Sequence, residues 1–117
     1  MSYEIGLRRL DVTPPVGYFL AGYGARTAPS TRIYHPLTAT VIILRGSDTD
    51  VMIVSVEWLG FYEQTASFRQ AIHRATGVSE ANILLLGTHT HCGSATRGLD
   101  AQGGTVPARS TRRIWML

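Results

Sequence analysis

The chain has 117 residues, enough for one small domain with its own core. Its 44% apolar and 16% charged residues argue against a disordered chain, and no apolar run approaches the roughly 20 residues that a membrane helix needs. The net charge of +3 comes entirely from Arg109, Arg112 and Arg113, because residues 1–100 carry eight arginines against eight acids and lysine is absent. That balance argues against nucleic acid as a partner, since a nucleic-acid surface shows a basic face interleaved with aromatics. One cysteine, Cys92, excludes an internal disulfide. The first residues lack the apolar core of a signal peptide, so the expected location of the chain as given is cytoplasmic.

Tyr3-Glu4-Ile5-Gly6-Leu7 alternates at the period of a strand, and Arg8 to Asp11 extends it less regularly. Thr13-Pro14-Pro15 stops it, because proline lacks a donor and restricts its predecessor. Residues 12–36 have neither a strand nor a helix period, yet hold Tyr18, Phe19, Tyr23 and Tyr34. A structureless stretch of that length is uncommon inside a compact domain. Two readings stay open: a binding loop over a site, or an ordered connector that packs its aromatics on the core.

Leu37 to Arg45 and Val51 to Val56 are β-rich, and the turn residues 46–50 between them predict a hairpin with a loop of about five residues. Phe61 to Thr76 reads as a helix, with Phe61, Thr65, Phe68, Ile72 and Ala75 on one face and Gly77 at the C-cap position. His73 falls in its last turn, where the helix dipole favours it. Ile83 to Gly87 is an apolar run that predicts a strand covered on both faces. Strand, helix and strand make a right-handed βαβ unit, so the fold class is α/β: a β-hairpin followed by a βαβ unit, an incomplete fragment of a larger mixed sheet.

That topology sends the ends of two strands to one edge, where open α/β sheets hold ligands. One end carries Glu57-Trp58, the other Thr88-His89-Thr90-His91. In extended backbone His89 and His91 point the same way, so both imidazoles can meet one metal ion, most simply zinc. The plainer reading is two polar residues where a strand surfaces. Glu57 is a ligand, a partner that orients an imidazole, or a cap for the following helix. Cys92 does not read as a nucleophile, since His91 beside it faces the other way on extended backbone.

These residues together resemble the start of the neutral/alkaline ceramidase family. The resemblance runs through Asp11-Val12-Thr13-Pro14, Gly22-Tyr23, His35-Pro36-Leu37-Thr38-Ala39, the strand ending in Glu57, and above all Gly87-Thr88-His89-Thr90-His91-Cys92-Gly93. It covers about Ile5 to Gly93, in order. It implies a zinc cofactor and hydrolysis of the amide of N-acylsphingosine-like lipids to fatty acid and sphingoid base. By matching position His89 is implied as a zinc ligand. His91 is implied as the catalytic residue that handles protons or the oxyanion beside the metal, a different role from the one that spacing gave it. His35 and Tyr23 match positions near the site, and with Glu57 they are candidates for contacting substrate or steadying the ligands. The family's other ligands, a His, a Glu and a Tyr, lie far downstream, and Ser94 replaces its usual Pro.

Residues 1–99 therefore read as the N-terminal piece of a ceramidase-like catalytic domain, and residues 100–117 as an irregular basic tail. Isolated, the piece is expected to be inactive. The rival readings are a catalytically silent truncated product and a small metal-binding module that self-associates through its open sheet edge. Family members are often secreted or membrane-associated.

Overall fold

The computed structural model describes residues 2–94, so the expected tail lies outside the described residues. Strands β1 (Glu4–Asp11), β2 (Thr38–Arg45), β3 (Asp50–Val56) and β4 (Ile83–Gly87) form one sheet in the order β1-β2-β3-β4. β1 with β2 and β2 with β3 are antiparallel, and β3 with β4 is parallel. Helix α1 (Thr65–Thr76) makes the crossover between the parallel pair. The architecture is thus the expected α/β hairpin and βαβ arrangement in a mixed open sheet.

Local chemistry explains the boundaries. The β2–β3 turn is one residue shorter than expected, because Asp50 already pairs with Arg45, both through the ladder and as an ion pair at 3.8 Å. A 3₁₀ turn at Tyr62–Gln64 precedes α1, and Thr65 Oγ1 donates to the Tyr62 carbonyl at 2.6 Å. α1 ends on Gly77 in the left-handed conformation, whose N–H donates to the His73 carbonyl. The His73 ring bonds the Val78 carbonyl at 2.9 Å, which closes the helix end.

The core lies between α1 and one sheet face. It joins Ala39, Met52, Val54, Val56 and Ile83 to Trp58, Phe61, Phe68 and Val78. Val56 and Ile83 are fully buried, each contributing about 1.5–3 kcal/mol by transfer from water. The three aromatics stack edge-on or tilted, with centroids 5.2–5.7 Å apart.

One expectation is corrected here. Among the described residues β4 is covered on one face, with Leu84 43% and Leu86 48% exposed. Helix α1 covers the Ile83 and Leu85 side, and Ile5 and Leu7 of β1 share the open side at 71% exposure each. An apolar run specifies burial on two faces, but among the described residues an element packs against one. No helix among the described residues is long and apolar enough to cross a membrane.

Candidate functional site

The carboxyl ends of β3 and β4 are joined by backbone bonds beyond the ladder. Thr88 N–H donates to the Val56 carbonyl at 3.0 Å and His89 N–H to the Trp58 carbonyl at 2.9 Å. The His89 ring Nδ1 lies 3.0 Å from the Leu59 carbonyl oxygen. His89 is therefore pinned to residues 58–59 twice, and its predecessor Thr88 once to Val56. These bonds turn the chain: His89 has φ +64°, in the left-handed region. The extended backbone expected through His89 is not what forms, and a turn brings the two histidines together instead. A left-handed non-glycine residue costs about 1–2 kcal/mol, which the bonds to Trp58 and Leu59 offset.

The glycines that flank the histidines permit this wrapping. A Cβ at Gly87 would sit 2.9 Å from the Gly60 Cα, and one at Gly93 would sit 2.8 Å from the Glu57 carbonyl oxygen. The loop passes so close to residues 57–60 that only hydrogen fits.

The imidazoles of His89 and His91 meet edge to face, with centroids 5.2 Å apart. On its other side His91 meets Tyr23, with centroids 4.8 Å apart and planes at 69°. Residues 12–36 thus form an ordered loop laid against the histidines. The loop is braced internally by Gly17 N–H to the Ser30 carbonyl and Ser30 N–H to the Tyr18 carbonyl. It joins the histidine loop through Ala21 N–H to the Gly93 carbonyl and a bridge between Leu20 and Ser94. Its aromatics stay out of the core: Tyr23 is 58% and Tyr34 89% exposed.

The remaining candidates lie apart from this trio. Glu57 Oε2 accepts from the backbone N–H and the hydroxyl of Thr38, at 2.5 and 3.0 Å. It thereby ties the end of β3 to the start of β2, and the turn before α1 has no side-chain cap. His35 bonds the Pro36 carbonyl through Nδ1 at 2.8 Å. It lines a cleft of about 350 Å³ with Arg32 and Tyr34 of the long loop, Leu37 just after it, and Thr90 and Cys92 of the histidine loop. Spacing missed two residues. Thr38 is the receptor for Glu57. Arg26 reaches the His91 carbonyl across 65 positions, a separation no local pattern signals.

No family model and no curated protein sequence matches the chain. Among the solved structures that match in fold are two of ceramidases. One is a ceramidase complexed with C2, at TM-score 0.68 and 21% identity. The other is a neutral ceramidase from Pseudomonas aeruginosa, with the same score and identity. The fold is ceramidase-like. Each alignment covers 80% of this chain, but only 15% and 16% of the matched chains.

The fit to a metal can be read from the donors. A carbonyl oxygen only accepts, so the bond to Leu59 places the proton of His89 on Nδ1 and leaves Nε2 as a lone-pair donor. His91 is the second imidazole within reach. Among the described residues no group of three or more His, Cys, Asp or Glu is placed to hold a metal. The chemistry of His89 Nε2 is that of a neutral nitrogen donor, and the described residues bring no complete set of donors around it.

Proposed function

We propose that the chain supplies the histidine half of a zinc-dependent amide hydrolase of the neutral ceramidase type. Its substrate would be an N-acylsphingosine-like lipid, cleaved with water to fatty acid and sphingoid base. The observation that carries the reading is His89, whose ring is held by the Leu59 carbonyl with Nε2 free, beside His91 at the end of a strand in a ceramidase-like fold. His89 Nε2 would hold the zinc. When bound, the metal would polarise the acyl carbonyl and acidify a water. A ring nitrogen of His91, whose ring centroid lies 5.2 Å from that of His89, would take a proton from the attacking water and pass one to the leaving amine. Tyr23 fixes the plane in which that exchange happens. The fewer-than-three donors of the described residues fall short of a catalytic zinc site, so the isolated 117-residue chain is expected to turn over little or nothing.

The test is release of sphingoid base from a short-chain ceramide by the protein that carries this chain, with and without zinc. His89→Ala and His91→Ala should each abolish zinc-dependent release. Turnover that survives His89→Ala removes the assignment.

A second reading is favoured by the open sheet face. Ile5, Leu7, Leu84 and Leu86 form an exposed apolar surface, of the kind that marks a contact with protein. On this reading the chain is a catalytically silent module that self-associates. Sedimentation of wild type and Leu7→Glu separates the two, since only association through this face is lost in the variant.

A further inference from the structure

We propose that Arg26 is a positioning residue for His91, clamping the long loop onto the histidine loop so that the imidazole keeps its plane. The proposal rests on the hydrolase reading for the task given to His91, and on geometry alone for the clamp. Arg26 Nη2 donates to the His91 carbonyl at 2.9 Å. Its Nη1 donates to the Ala21 carbonyl at 3.2 Å. One planar guanidinium therefore joins two loops that are far apart in sequence, and its fixed fork makes both bonds at once. The same guanidinium lies 5.1 Å from the centroid of Tyr23, the ring that meets His91 edge to face.

Gly22 completes the clamp. It has φ +107°, and a Cβ there would fall 2.5 Å from the His91 Cγ. The backbone of the long loop thus presses directly on the imidazole, with Tyr23 beside it. His91 has no bond of its own to a carbonyl like that of His89 to Leu59 among the described hydrogen bonds. Its ring is set by contact with Gly22, Tyr23 and His89, and the contacts with Gly22 and Tyr23 persist only while the two loops stay joined. Arg26 supplies the charge-assisted part of that joint; the Ala21 to Gly93 backbone bond supplies a neutral part.

The experiment uses the isotope-labelled 117-residue chain, without metal, at one fixed pH. It follows nuclear Overhauser contacts between the ring protons of Tyr23 and His91, and the ring resonances of His91. In Arg26→Gln these contacts are expected to disappear and the His91 resonances to move towards those of a free imidazole. The His73 ring, bonded to Val78 at the helix end, should be unmoved and reports that the fold is intact. Contacts of wild-type strength in a folded Arg26→Gln overturn the proposal. If that variant does not fold, Arg26→Lys decides, because one ammonium cannot bridge both carbonyls in the plane of a guanidinium. There too the contacts should weaken with His73 unmoved, and undiminished contacts overturn it. A chain that hydrolyses no amide would leave this result standing, and loss of the clamp would leave zinc binding by His89 to be judged separately.

Discussion

The ring of His89 is bonded through Nδ1 to the carbonyl oxygen of Leu59, thirty positions earlier, at 3.0 Å. A carbonyl accepts and never donates, so the proton must sit on Nδ1. Long-range nitrogen–proton spectra should therefore show the Nδ1–H tautomer for neutral His89. The Nε2–H tautomer would mean that this bond is not formed in solution.

Gly93→Ala should destabilise the chain by about 1–3 kcal/mol, the usual range for forcing a methyl into packed structure. Its Cβ would meet the Glu57 carbonyl oxygen at 2.8 Å, and backbone cannot step aside as a side chain can. Urea unfolding measures the loss. An unchanged midpoint would show that the loop does not press on residues 57–58 as described.

Phe68→Ala should cost about 3–5 kcal/mol, because Phe68 is the buried ring of α1 that touches both Trp58 and Phe61. A domain of this size has about 5–15 kcal/mol in total. The variant is therefore expected to melt far lower, read by circular dichroism. Ala75, on the face assigned by periodicity, is exposed, so serine there should change little.

Asp11 accepts from Thr13, whose hydroxyl and backbone N–H hold its carboxyl below the usual range. A depressed folded value adds stability above the ordinary carboxylate value, and that stability is lost as pH falls through the folded value. Asp11 is exposed, so the effect is small. Asp11→Asn should therefore be slightly less stable than wild type at neutral pH and converge on it as the pH falls below about 4, so that the acid side of its pH–stability curve is flatter. Urea midpoints at pH 3 to 7, a range of about four units, provide the comparison.

The strands, the helix and the end of the helix at Gly77 were legible because they depend on local period and local turn chemistry. The parallel pairing of β3 with β4 followed from length and crossover alone. Three features were not legible. Leu84 and Leu86 read as buried because an apolar run does not say how many faces are covered. His89 read as extended because nothing in Thr-His-Thr-His signals carbonyls at Trp58 and Leu59 waiting to turn it. Arg26 stood out in no pattern, since its role depends on a partner 65 positions away. His89, His91 and Tyr23 were singled out from sequence and do meet in space, whereas His35 and Glu57 bond Pro36 and Thr38 instead.

The most direct measurement is a zinc titration of the 117-residue chain, followed by the ring resonances of all four histidines. The account predicts that zinc perturbs His89 at Nε2 first, with His91 beside it, and leaves His73 unmoved. It predicts that His89→Ala removes the binding while His73→Ala does not. Zinc bound equally well by His89→Ala, or no zinc at the histidine loop at any concentration, would contradict the assignment of His89 as a metal ligand.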